Sequence, residues 1–180
     1  SPTSNNMLML FEGGGACWDY DTCSGRAGIL GAAHPNGIPA NYIQEFQPKY
    51  VSPLLNGADP GIPLRAKKDL ATKGYDMVYM PYCTGDVHTG ATTITYPSTD
   101  SDPDLEFHHD GHAAVQEVVK WIDGNFPHMP KLLSTGCSAG GVGSVVNYRF
   151  LRNGIRSVQK AYLINDSGPI FPSSGFSKPL

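Results

Sequence analysis

Five residues constrain this chain more than any others: Gly136-Cys137-Ser138-Ala139-Gly140, set between two segments of opposite periodicity. Before them, Lys131 to Thr135 is a short run of the kind that forms a buried strand. After them, Ala139 to Asn153 spaces Val142, Val145, Val146 and Phe150 as a helix does. A strand that runs into a helix through G-x-S-x-G makes a sharp turn, and the small residues around it leave the central hydroxyl exposed. Ser138 is therefore the candidate nucleophile. The N-terminus of the following helix points at the same place, so the Ala139 N–H and the helix dipole are suited to holding a developing negative charge.

The rest of the chain repeats the pattern of that unit. Met7 to Phe11 is continuously apolar, as in a strand buried on both faces, and ends in Glu12-Gly13-Gly14-Gly15. This second glycine loop is a candidate for the other donors of an oxyanion hole; no Lys-Ser/Thr pair follows it, which argues against a phosphate loop. Asp76 to Tyr82 reads as another strand, with Pro81 at its end. From about His109 to Asn125, residues Val115, Val118, Val119 and Ile122 mark a helix lying on a sheet. Ala161 to Asn165 supplies a fourth strand, a short helix is expected near Leu64 to Lys73, and residues 16–63 and 83–107 read as largely irregular. Buried strands alternating with amphipathic helices give an α/β class, a mostly parallel sheet with helices on both faces, and 180 residues suit one domain.

Composition excludes several functions. Charged residues make up 16%, the formal net charge is −3, and no basic block is present, so nucleic-acid binding is not expected. The longest apolar run falls far short of the ~20 residues of a membrane helix, and no leader is apparent, so the chain reads as mature or trimmed. Cysteines at 17, 23, 83 and 137 permit up to two disulfides, the first two closing a small loop, which favours a secreted or periplasmic setting. Without a C-x-x-C pair a zinc site is not expected. Cys83 and Cys137 both fall at strand ends, as neighbours or as buried free thiols. His108, His109, Asp110 and His112 read as capping and solvating a helix start, and Asp100, Asp102 and Asp104 lack the glycine and glutamate of a calcium loop. Asp86 and His88, in the loop after the second strand, are candidates for lining the site, as are Trp18 and Asp166.

Four segments in order carry a resemblance to a known family: Phe11-Glu12-Gly13-Gly14-Gly15-Ala16-Cys17-Trp18, Pro81-Tyr82-Cys83-Thr84-Gly85-Asp86-Val87-His88-Thr89-Gly90, Gly136-Cys137-Ser138-Ala139-Gly140-Gly141 and Asp166-Ser167-Gly168. Together they resemble the pectin acetylesterases and Notum-type carboxylesterases. That resemblance implies an α/β-hydrolase fold, hydrolysis of an ester such as an O-acetyl group on a polysaccharide, Ser138 as nucleophile, and an oxyanion hole formed by the N–H groups of Gly14 or Gly15 and Ala139. No metal or organic cofactor is required. One departure is local: relatives carry an aromatic residue within the glycine loop, where this chain has Gly15-Ala16 and places its aromatic at Trp18.

In this fold the acid and histidine follow the serine, yet all six histidines precede Ser138. The sequence is thus expected to be the N-terminal portion of a single hydrolase domain, with the histidine and acid in a C-terminal remainder beyond Leu180. Asp166, the one acidic residue after Ser138, is either that acid or part of a hydrogen-bonded turn. Two other functions stay open: a noncatalytic carbohydrate- or lipid-binding relative on the same scaffold, and an esterase acting on polyesters or lipids.

Overall fold

A computed structural model describes residues 5–28, 31–42 and 75–168. The elements are β1 (Asn6–Phe11), α1 (Tyr20–Cys23), β2 (Tyr75–Met80), β3 (Thr92–Tyr96), β4 (Leu105–His109), α2 (Gly111–Asn125), β5 (Met129–Cys137), α3 (Ala139–Gly154) and β6 (Val158–Asp166). Four strands form one parallel sheet in the order β2-β1-β5-β6, while β3 and β4 form a separate antiparallel hairpin. The short helix expected near Leu64 to Lys73 lies outside the described residues.

Chain direction changes at the middle of the sheet. β1 is followed by β2 on one side, and β5 by β6 on the other, so a crevice opens between the C-terminal ends of β1 and β5. Ligands of open α/β sheets bind at such a switch point. The two loops that the sequence singles out, after Phe11 and around Ser138, emerge on either side of it.

Alternation along the strands sorts the core. Met7, Met9, Phe11 and Leu132 share one face and cluster with Val115, Val119 and Ile122 of α2 and with Leu151, Ile155 and Val158, all buried. On the opposite face Met77, Tyr162 and Ile164 remain exposed. A shallow groove there, lined by Tyr75, Lys131, Leu133, Tyr162, Leu163 and Ile164, contains neither Ser138 nor any residue of the glycine loop.

Two expectations are corrected. Only part of the expected apolar stripe of α3 faces inward: Phe150 packs on the core and Val142 is half-buried, but Val145 and Val146 are exposed, whereas Gly140, Gly143, Ser144, Asn147 and Leu151 are buried. A helix that begins at the tight turn around Ser138 starts too close to β1 for branched side chains, so its small residues face inward. Secondly, the segment 83–107 is not wholly irregular, because Thr92–Tyr96 pairs with Leu105–His109. His108 and His109 consequently belong to a strand, and α2 starts at Gly111. The three aspartates that imitate a calcium loop make surface bonds within the protein: Asp100 and Asp102 accept from Arg26, and Asp104 accepts from the Ser98 N–H.

Cys17 and Cys23 form a disulfide, with Cα atoms 4.9 Å apart, that ties the end of the glycine loop to α1. Asp19 caps that short helix, its carboxylate accepting from the Thr22 N–H at 2.9 Å while Thr22 Oγ1 accepts from the Asp19 N–H at 3.1 Å. A loop this short limits the chain-entropy effect of the cross-link, so its removal in a Cys17→Ser/Cys23→Ser variant is expected to lower stability by about 2 kcal/mol. Denaturant unfolding of the variant beside the oxidised protein measures the difference. Cys83 and Cys137 are free thiols, both held above the ordinary thiol range by burial; neither is a ready thiolate at neutral pH.

Candidate active site

Ser138 sits at φ 55°, ψ −122°, a strained conformation for a residue with a side chain. Its N–H donates to the Asp166 carbonyl at 3.2 Å and its carbonyl accepts from the Val142 N–H at 3.2 Å, so the backbone on both sides is fastened. The hydroxyl is exposed and has no hydrogen-bond partner among the described residues. It stands free at the end of β5, at the N-terminus of α3, where the first N–H groups of a helix lack internal acceptors.

Facing it is the glycine loop. A Cβ added to Gly13 would lie 2.5 Å from the Cys137 carbonyl oxygen and 3.3 Å from Ser138 Cβ, so the loop runs directly against the serine turn. Three of its carbonyls are engaged by the surrounding scaffold. The Glu12 oxygen is 2.8 Å from His88 Nε2, the Gly14 oxygen accepts from the Ala33 N–H at 3.1 Å, and the Gly15 oxygen accepts from the Tyr82 hydroxyl at 3.0 Å. In a trans peptide the C=O and the following N–H point in opposite directions. Fastening the carbonyls of Glu12, Gly14 and Gly15 therefore turns the N–H groups of Gly13, Gly15 and Ala16 away from the scaffold. No described residue accepts from the N–H of Gly13, Gly14 or Gly15. Gly15 takes φ 70°, which helps successive donors converge as in an anion-binding nest.

Beneath the loop lies a buried polar frame. Asp86 accepts from four donors: the Thr84 hydroxyl at 2.6 Å, the His88 N–H at 3.0 Å, and the N–H groups of Gly90 and Gly111 at 2.8 Å each. Val87 and His88 take φ 49° and 62°, conformations that β-branched and bulky residues adopt only when their surroundings impose them. The Tyr82 hydroxyl helps to impose them, accepting from the Val87 N–H at 2.8 Å. The Glu12 carboxylate accepts from the Tyr82 N–H at 2.7 Å and from the Tyr42 hydroxyl. Tyr79 also bonds it, and both phenols are held above their usual range, first by burial and then by this carboxylate.

Asp86 and His88 sit behind the glycine loop: the half-buried Asp86 carboxylate accepts from four donors, and His88 is 1% exposed. Trp18, at 56%, is open to solvent beside the loop, its N–H donating to Thr22 Oγ1. Asp166 closes the other side, its carbonyl on the Ser138 N–H and its carboxylate accepting from the Ser167 hydroxyl at 3.2 Å. Tyr82, Glu12 and Asn147 are the working residues that sequence reasoning missed. Glu12 and Tyr82 fell within the segments that carry the family resemblance but drew no role there, and Asn147 was signalled only by polarity within a helix destined for the core.

Burial holds the His88 imidazole below the ordinary range, against the opposing pull of its bond to the Glu12 carbonyl and of the Asp86 and Glu12 carboxylates. The unfolded chain, with a value near 6.5, then binds the proton more readily than the folded one. Stability is expected to fall as pH drops through 6.5, and to keep falling until the folded imidazole itself is protonated. Replacing His88 with Gln should flatten that part of a stability-against-pH profile.

No histidine is hydrogen-bonded to Ser138. His34 meets Tyr42, His108 meets Thr93, His112 meets Asn147, and His109 has both ring nitrogens engaged, by the Thr84 carbonyl and the Tyr96 hydroxyl. Cys17, Cys23 and His109 converge within 4.8 Å, but the disulfide and those two bonds occupy the groups that a metal would need. Among the described residues the site brings together an exposed serine hydroxyl and backbone N–H groups that meet no described acceptor.

The family model described as Pectinacetylesterase matches residues 67–178, a span that holds the Asp86 loop and the Ser138 turn. The chain belongs to the pectinacetylesterase family. Among curated proteins it is 29% identical over 153 residues to palmitoleoyl-protein carboxylesterase notum1 of Xenopus laevis, covering 82% of this chain and 26% of that protein. It is 22% identical over 177 residues to pectin acetylesterase 4 of Arabidopsis thaliana, covering 93% of this chain and 36% of that one. The Wnt deacylase Notum from Drosophila superposes with a TM-score of 0.57 at 19% identity, covering 96% of this chain and 49% of that chain, and a second crystal form gives 0.55. These likenesses establish an α/β-hydrolase-like sheet. The chain spans a quarter to about a third of the length of its curated relatives and half that of the solved ones. No helix among the described residues is long and apolar enough to cross a membrane.

Proposed function

We propose that this member of the pectinacetylesterase family contributes the nucleophile and oxyanion hole of a secreted serine carboxylesterase that removes O-acetyl groups from a polysaccharide. The observation that carries the reading is the abutment of the exposed Ser138 turn on a glycine loop whose glycine N–H groups meet no acceptor among the described residues. Ser138 Oγ attacks the ester carbonyl and gives its proton to a base. The resulting oxyanion is held by the N–H groups of Gly14 or Gly15 and of Ala139, and the alkoxy group departs with a proton. Water then attacks the acetyl-enzyme, releasing acetate and restoring the serine. Base and acid come from protein outside this chain, a reading supported by the relatives' greater length and by the lack of a hydrogen bond from any described histidine to Ser138. The exposed Trp18 suits a sugar-binding rim, since an aromatic face stacks on the apolar face of a pyranose.

The intact protein that carries this chain is the material for the test. Acetate release from acetylated pectin, with slower cleavage of long-chain acyl esters, supports the assignment. Preference for long acyl chains would move it to the lipid side, as the name of the notum1 relative describes. Binding of polysaccharide or lipid without any ester cleavage would favour the noncatalytic reading.

A further inference from the structure

We propose that His88 is a positioning residue that aligns the two halves of the oxyanion hole, a role that rests on the reading of Ser138 as nucleophile. The ring lies between the glycine loop and the helix that starts at Ser138. On one side Nε2 meets the Glu12 carbonyl at 2.8 Å; that oxygen only accepts, so Nε2 carries the proton. Since the Gly13 N–H is antiparallel to that carbonyl, the bond sets the plane of the first peptide of the loop. On the other side the His88 carbonyl accepts from Asn147 Nδ2 of α3 at 2.8 Å. The ring also fills the space that Gly143 of α3 leaves vacant, where an added Cβ would lie 2.7 Å from His88 Cδ2. Phe11 and Tyr82 pack on the imidazole, with ring centroids 5.1 and 4.6 Å away.

These contacts give one buried residue a hold on both donor sets, its ring on the glycine loop and against Gly143, and its carbonyl on Asn147 of α3, the helix that starts at Ala139. The strained backbone at Val87 and His88 is what carries the ring inward to that place. A donor preorganised to stabilise a transition state loses effect when it shifts by a fraction of an ångström, while ground-state binding changes little. The role therefore predicts a loss in kcat with KM nearly unchanged.

The test compares His88→Phe, which keeps an aromatic ring without the donor, with His88→Gln, which keeps an N–H at a similar reach, both in the intact protein. With an acetyl ester, the Phe variant is expected to lose about 10- to 100-fold in kcat with KM within about twofold, and the Gln variant to recover most of it. Wild-type kcat in the Phe variant, or equal losses in both variants that track their loss of folded protein, would overturn the inference. Should the Phe variant not fold, Gly143→Ala displaces the ring and leaves its donor in place; the same fall in kcat supports the role, and an unchanged kcat overturns it. A Ser138→Ala control separates this outcome from failure of the underlying reading, which falls only if that variant still turns over.

Discussion

Replacing Ser138 with Ala in the intact protein is expected to lower kcat for an acetyl ester by about 10⁴-fold or more, leaving the fold unchanged. The magnitude follows from the chemistry: without the hydroxyl no acyl-enzyme forms, and only binding and oxyanion donors remain to assist water. The harmlessness to the fold follows from the geometry. The side chain is exposed and bonds to no described residue, and Ala at φ 55° carries much the same backbone strain as Ser. Initial rates over a range of substrate concentrations, with thermal unfolding as the control, separate the two. A variant with near-normal kcat would remove Ser138 from the chemistry.

Replacing Gly140 with Ala is expected to do the reverse, abolishing the folded state and activity with it. A Cβ there would fall inside van der Waals contact of the Phe11 carbonyl oxygen, 2.6 Å from the Phe11 carbonyl carbon and 2.8 Å from that of Glu12. All of these are backbone atoms of β1 and its loop, so no flexible side chain can give way. Separation of α3 from β1 would open the core around Phe11 and Leu151, and a cost above about 4 kcal/mol is expected, enough to leave little soluble protein. Gly124→Ala is the matching control. That glycine lies in α2 with nothing within 4 Å of an added Cβ, and helix propensity alone predicts a gain of about 0.5–1 kcal/mol. Equal behaviour of the two variants in denaturant unfolding would contradict the close docking of α3.

The same docking marks what the sequence could disclose. Periodicity found β1, β5 and α2, whose main apolar residues are buried in the pattern that their element dictates; β2 and β6 were found from their apolar runs alone, although Met77, Tyr162, Leu163 and Ile164 are exposed. Periodicity failed on α3, where hydrophobicity ranks Val145 and Val146 above Gly140 and Gly143 although closeness of approach decides which face turns inward. The β3–β4 hairpin was legible in Thr92-Thr93-Ile94-Thr95-Tyr96, a run rich in β-branched residues, but the long polar stretch around it read as loop. Ser138 and the glycine loop announced themselves because their chemistry depends on residue types at fixed spacing. Asp86 and His88 drew notice for the same reason, but composition does not say that two consecutive residues, Val87 and His88, adopt positive φ and carry an imidazole into the core.

The account turns on one hydroxyl, and covalent trapping tests it most directly. Treatment of the intact protein with a fluorophosphonate, followed by peptide mass mapping, is predicted to place one adduct on Ser138 and to leave the Ser138→Ala variant unmodified. An enzyme that hydrolyses esters yet carries its adduct on another residue, or none on Ser138, would contradict the account.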